Sequence, residues 1–538
     1  VDTLIADIGA VPILASSYSS TGDGPTLSSI LLGAASKNAY PIPLVSQQGI
    51  VDLSYTSPQP VLPRFPRREI ALKLVEHYID QLYPRLPFFS LQGFWAQFNS
   101  IYSTDHEIQD SHSLPEQSHG SSQPRQDQRT LDMDQGYGAF TVLLVLAIAS
   151  SSLSRSADSV VSSQAQRLFN AALEHRESAV RPNTIIGVQS LLFLIQYGTL
   201  NPSVLDAWYL IGMGMRSCID LGLHQDPQHM DTISPSLLET RRRLWWSMYS
   251  FDRSISLGCG RPIGISDGMI KTRLPSFRIE STATEGQIQG YLQRYRALQI
   301  QSQIYDRLST RSDSDTGDSS EIVSYLAQKL EAWRRDNAPS YSQTLVETEW
   351  LMGKMLLYRP CQLIPERTTV ELRQLWESSS RFSTLYRQLV ESNGIFYVQI
   401  ASEKLYWVGL AMLYSVWKIK HHCEQHAAPI QNSQLWSAVQ DVLFSIRTLG
   451  ERWEDGYILA RDFESASTQV ISLLETRESY HSDDMLPDEV KDFANYISLA
   501  SIKAADVHGC SSQQDGELRQ LVSDMLMKDG AETYIQTI

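Results

Sequence analysis

The sequence predicts an all-α protein, an irregular multi-helix regulatory domain with disordered insertions. Three observations predict it. Apolar residues recur at helical spacing from about residue 68 onward. No run of alternating strands appears, and no repeat of fixed period. Two polar insertions, 103–136 and 309–320, interrupt the helical pattern without replacing it.

Residues 1–67 hold eight prolines between Pro12 and Pro66 and few charges, so they read as a linker or loosely ordered arm. The next unit, 68–420, opens on REIALKLVEHYIDQLYP, where Leu72, Val75, Ile79 and Leu82 share one face and Pro84 ends the helix. Residues 103–136 lack aromatics and are rich in Ser, Gln, His and Asp, which predicts a disordered insertion. The run AFTVLLVLAIA (139–149) is too short to span a bilayer and reads as a buried helix. Asn201-Pro202 predicts a cap and first turn for the next helix, and Gly222 its stop. Ser234-Pro235 repeats that start signal. Segment 397–419 is apolar over most of its circumference and should lie centrally, and 421–538 forms a C-terminal helical extension.

The net charge of −15 repels polyanions, so any nucleic-acid contact must be local or made elsewhere. Five cysteines without a C-x-x-C pair give no zinc site, and their odd, sparse usage suits a reducing compartment. No signal peptide is visible and no membrane partner is expected, so the chain reads as soluble and intracellular.

Several motifs invite a catalytic or metal reading, and each has a blander one. Gly264-Ile265-Ser266-Asp267-Gly268 matches G-x-S-x-G, but a nucleophile elbow needs a strand before the serine, and a helix precedes this one. His422 and His426 are one helical turn apart, yet nothing nearby completes a metal set, and a frayed helix end explains them. His224, after Asp220-Leu221-Gly222-Leu223, is placed to satisfy the free carbonyls of a helix end. The acidic-apolar stretch 483–493 has the composition of an activation segment, and equally that of an amphipathic helix starting after Pro487. These residues therefore name no catalytic, cofactor-binding or metal-ligating residue.

The most informative stretch is RRRLWWSMYSFDRSISLGCGRP (241–262). Basic residues interleaved with aromatics suit a nucleic-acid surface or a buried helix with one charged edge. Leu244, Met248, Phe251 and Ile255 form one helical stripe with Trp245 and Tyr249 beside it, so the aromatics are core. Arg241 and Arg242 should reach solvent or acidic neighbours. Asp252 and Arg261 are expected to form an ion pair as the Gly258–Gly260 turn folds back, with either glycine as an αL stop.

In order along the chain, LVEHYIDQLYPRLPFFSLQGF (74–94), GAFTVLLVLAIAS (138–150), VQSLLFLIQYG (188–198), AWYLIGMGMRSCIDLGLHQDP (207–227), the 241–262 stretch with IGISDGMIKTRLP after it, and MLLYRP (355–360) resemble one family. It is the regulatory middle region of fungal-specific transcription factors that carry a binuclear zinc cluster held by six cysteines. The motif residues that carry the resemblance are Arg243, Trp246, Asp252, Gly260, Arg261 and Pro262.

The resemblance implies a nuclear regulator of RNA polymerase II genes, not an enzyme. It also implies DNA as partner through the cluster, homodimers through a short coiled coil, and a small-molecule effector. The chain departs from the pattern: the cysteine cluster and the heptads that follow it are absent from 1–67. Zinc is therefore expected only if a cluster lies upstream of Val1, and otherwise DNA is reached through a partner protein. The alternatives are a cluster-less helical protein repurposed for small-molecule binding or catalysis, its pocket lined by the many aromatics, and a dimerising scaffold.

Overall fold

A computed structural model of the chain describes residues 65–110, 125–309, 319–475 and 485–494, apart from a few short breaks. Within these residues there are sixteen α-helices and no extended strand. In order they are α1 (Arg68–His77), α2 (Leu91–Asp110), α3 (Arg125–Leu153), α4 (Val160–Leu173), α5 (Arg176–Ala179), α6 (Ile185–Leu200), α7 (Ala207–Asp220) and α8 (Pro235–Cys259). There follow α9 (Glu285–Ser309), α10 (Ser319–Asp336), α11 (Gln343–Tyr358), α12 (Thr369–Glu391), α13 (Val398–His422), α14 (Asn432–Gly450), α15 (Asp455–Glu475) and α16 (Asp488–Ala494).

Local chemistry sets the ends of these elements. Past α1 the chain widens into a π turn (Tyr78–Leu82) and then tightens into a 3-10 turn (Tyr83–Arg85), because Pro84 cannot continue an α-helix. Ser234 accepts from the Leu237 amide at 3.2 Å and caps α8 as its sequence predicts. Gly222 follows α7 at φ +63°, the left-handed stop that glycine adopts without a Cβ penalty. The cap of α7 lies elsewhere than expected. Asp206 accepts from the Tyr209 amide at 3.2 Å, whereas Asn201 closes α6 by donating its side-chain amide to the Tyr197 carbonyl at 3.0 Å. Two cap-like residues stand within one short loop, and spacing alone could not rank them.

The predicted insertions are narrower than their composition suggests. Helix α2 runs on to Asp110 and α3 begins at Arg125, while α9 reaches Ser309 and α10 starts at Ser319. Residues 111–124 and 310–318 lie outside the described residues, as do 1–64, His426 and 495–538.

Two apolar cores fill the fold. The first joins α1 to α8 with the start of α9, and has Phe88, Phe140, Phe193, Trp245 and Trp246 at its centre. The second joins α9 to α16 around α13, whose Leu405, Leu410, Met412 and Trp417 are buried, so segment 397–419 is central as predicted. Helix α8 bridges them: Leu244 to Ile255 belong to the first core and Leu257 to the second. The 483–493 stretch ends in α16, where Val490 and Phe493 pack into the second core and the Phe493 ring lies 5.5 Å from that of Trp407. Segment Asp134–Leu153 is long and apolar enough to cross a bilayer, and 83% of it is buried inside the fold. Packing against other helices accounts for its apolar character.

A candidate effector cavity beside the signature helix

The three arginines that open the 241–262 stretch each hold a different piece of chain. Arg241 donates through Nη2 to the carbonyls of Leu221 (3.2 Å) and Gly222 (2.9 Å), closing the end of α7. Arg242 grips Asp226 with Nε at 3.0 Å and Nη2 at 2.5 Å, in the bidentate geometry that guanidinium offers a carboxylate. Arg243 is buried, pairs with Glu239 one turn earlier at 3.0 Å, and donates to the Ile279 carbonyl at 2.8 Å. Glu239 also accepts from the amides of Ser276 (3.0 Å) and Phe277 (2.6 Å). Phe277 sits at φ +54°, a strained region for a bulky residue, and these bonds hold it there.

The return segment after α8 is thus pinned along the helix. Thr272 donates to Asp226 at 2.9 Å, and the Lys271 and Thr272 amides donate to the His224 carbonyl at 2.9 and 3.1 Å. Trp246 donates its indole N–H to the Arg273 carbonyl at 2.9 Å. The expected role of His224 at the helix end falls to Arg241, whose longer side chain reaches the carbonyls. His224 Nε2 instead lies 2.8 Å from the Gln225 amide nitrogen, and burial holds its imidazole below the ordinary histidine range.

Asp226 gives a pH prediction. Burial raises its carboxyl, but the hydrogen bonds from Arg242 and Thr272 outweigh that, and the group lies below its ordinary value. Stability from a depressed carboxylate is full above the unfolded value of about 3.9 and is lost as pH falls through the folded value. Asp226→Asn should therefore lower the urea midpoint at pH 7, and the gap from wild type should close between about pH 4 and pH 2. A gap that stays constant over that range would contradict the assignment.

Deeper along α8 lies a second charged cluster, which sequence reasoning missed. Arg253 is fully buried and donates to Ser302 (2.9 Å), Asp267 (3.1 Å), Asp252 and the Ile265 carbonyl. Its guanidinium carbon also lies 4.4 Å from the centre of the Tyr249 ring, and Tyr249 donates its hydroxyl to Asp267 at 2.9 Å. Asp252 accepts from the Gly264 amide at 3.1 and 3.2 Å. A Cβ on Gly264 would come within 2.8 Å of the Asp252 carboxylate, so only glycine allows this approach. Burial raises the Asp252 carboxyl against the pull of Arg253 and of that amide.

The Asp252–Arg261 ion pair is not formed. Arg261 instead stacks over Trp208 at 5.0 Å, and its amide donates to the Ser256 carbonyl at 2.9 Å. Asp252 turns inward to Arg253, where the low-dielectric interior rewards a closer charge. Pro262 accepts from the Ser256 hydroxyl at 3.0 Å, Gly258 is helical, and Gly260 lies outside the described residues. The residues of the G-x-S-x-G match are thereby explained. Helix α8 leads into it, Gly264 and Asp267 belong to the Arg253 cluster, and Ser266 precedes a 3-10 turn, Asp267–Met269.

Helix α8 is therefore buried around most of its length, charged residues included, rather than along one stripe. Its remaining side opens on a cavity of about 370 Å³. Ser250, Phe251 and Ser254 of α8 line it, facing Tyr291 and Arg294 of α9, Trp333 of α10, Lys404 of α13, and Arg85 from the 3-10 turn before α2. The volume lies at the small end of the usual range for ligand pockets, about 300–1,000 Å³.

Among the described residues, no group of three His, Cys, Asp or Glu is placed to hold a metal. The described cysteines do not fit a zinc cluster either. Cys218 and Cys361 are buried in different cores, and burial pushes the Cys218 thiol well above its ordinary value.

Residues 75–335 match the family described as "Fungal specific transcription factor domain". The chain is similar to the "Positive regulator of purine utilization" of Emericella nidulans, at 23% identity over 67% of this chain and 43% of that protein. It is also similar to "Pyrimidine pathway regulatory protein 1" of Saccharomyces cerevisiae, at 25% identity over 41% of this chain and 28% of that protein. With "Protein STB5" of Saccharomyces cerevisiae it shares 23% identity over 65% of this chain and 50% of that protein. The matched part thus spans half or less of each of these relatives. The arginine-pinned helix α8 and its return segment lie within 75–335, the part of the chain that matches the fungal specific transcription factor domain.

Proposed function

We propose that this chain is the effector-responsive regulatory part of a fungal transcription regulator, acting in the nucleus on RNA polymerase II genes, and that it does no catalysis of its own. The observation that carries this reading is the position of α8. One helix forms a wall of the cavity through Ser250, Phe251 and Ser254, and anchors the return segment through Arg242, Arg243 and Arg253. An effector that binds one arrangement of α8 better than another would bias everything pinned to it. The names of the relatives, a regulator of purine utilization and one of a pyrimidine pathway, support the same reading.

DNA would be reached through a zinc cluster elsewhere in the full-length protein or through a partner protein, since the described residues offer zinc no ligand set. A homodimer is part of the proposal, and so is the division into an arm (1–67), a regulatory unit (68–420) and a helical extension (421–538). The test is a reporter assay in a fungal host, with the whole chain fused to a heterologous DNA-binding domain. Reporter transcription should differ from that given by the DNA-binding domain alone. Indistinguishable output from a fusion that is expressed and nuclear would count against a regulatory role.

A further inference from the structure

The cavity beside α8 carries more basic than acidic side chains. Arg85, Arg294 and Lys404 line it, against two carboxylates. One of these, Glu349, already accepts from the Gln301 side chain at 2.7 Å, and the other, Asp80, is exposed at the rim. Arg85 is held in place, donating to the Gly394 carbonyl at 3.0 Å with its guanidinium 4.9 Å from the Phe396 ring centre.

Two further groups lack partners. The Nε of Arg294 and the hydroxyl of Ser250 are both buried without a hydrogen bond, and Ser250 as a whole is only 1% exposed. A buried donor without a partner is destabilising, so an acceptor brought within reach of it would recover stability. The rest of the wall includes flat apolar faces, from Phe251, Tyr291 and Trp333 among others. Basic side chains and aromatic faces lining one cavity suit a ligand with one anionic end and a flat apolar body.

We propose that this cavity binds a small aromatic carboxylate, with Arg294 and Ser250 holding the anionic end and the ring lying among the aromatic faces. This rests on the effector reading above and deepens it.

The test is calorimetric titration of the full chain with benzoate, 4-hydroxybenzoate and phenylacetate, each beside its uncharged carboxamide, and with inorganic phosphate. At least one carboxylate should bind saturably, and its carboxamide about 10-fold or more weakly. Arg294→Gln should weaken the carboxylate by about 10- to 100-fold and leave the carboxamide nearly unchanged. Ser254→Phe should fill the cavity and abolish binding of both. Ser250→Ala removes a hydroxyl that bonds to nothing in the protein, so it should keep the fold and still weaken the carboxylate.

Carboxamides that bind as tightly as carboxylates, phosphate that binds as tightly as either, or no binding to the folded chain would overturn the assignment. The two readings fail separately. If Ser254→Phe alters the reporter while the whole panel fails to bind, the regulatory role stands and the aromatic carboxylate falls.

Discussion

Replacing Arg253 with methionine should cost the fold about 3–5 kcal/mol, the usual penalty for removing one partner of a buried charge pair. Methionine keeps much of the stem packing, so the loss isolates the guanidinium. Four acceptors then lose their donor: Asp252, Asp267, Ser302 and the Ile265 carbonyl. Asp252 keeps only the Gly264 amide among the bonds that hold its carboxylate. Arg253→Lys should recover only part of the loss, because an ammonium cannot span acceptors arranged for a planar fork. Urea unfolding followed by circular dichroism reads the midpoint. A loss below about 1 kcal/mol for Arg253→Met would mean that water or rearrangement replaces the cluster.

The second large effect concerns the paired tryptophans. Trp245 and Trp246 are both buried, and truncating either to alanine should cost about 3–5 kcal/mol through the cavity left behind. Truncation to phenylalanine separates them. The Trp246 indole donates to the Arg273 carbonyl at 2.9 Å, whereas the Trp245 indole nitrogen has no partner. Trp246→Phe removes packing and a hydrogen bond and leaves a carbonyl of the return segment unmet. Trp245→Phe removes packing and also relieves a buried, unpaired N–H. Trp246→Phe should therefore be the more damaging by about 1–3 kcal/mol in the same urea assay. Equal losses would show that the Trp246 bond does not hold the return segment.

The helical architecture was legible because its signals are local. Ser234-Pro235 starts α8, Gly222 stops α7, and the apolar run at 397–419 finds the centre of the second core. The match to a transcription factor domain was legible through the order of several motifs more than through any one residue. The Arg253 cluster was not, for a definite reason. Neighbours i and i+1 on a helix point in different directions, so Asp252 beside Arg253 does not read as a pair. They meet because the long guanidinium stem bends toward the carboxylate, and because the return segment brings Gly264 and Asp267 from outside the helix. Arg261 was expected as the partner because the Gly258–Gly260 turn could fold it back on the helix end, and an aromatic face on α7, Trp208, captured it instead. The cavity was equally invisible: its lining spans residues 80 to 404 and exists only after the two cores pack together.

The central claim is that the cavity governs what the chain does to transcription. Its most direct test compares wild type and Ser254→Phe in the DNA-binding-domain fusion, after equal thermal midpoints have established that both are folded. The account predicts that filling the cavity locks reporter output at one level, so that growth conditions which shift the wild-type fusion no longer shift the variant. A folded Ser254→Phe fusion that responds as wild type does would contradict it.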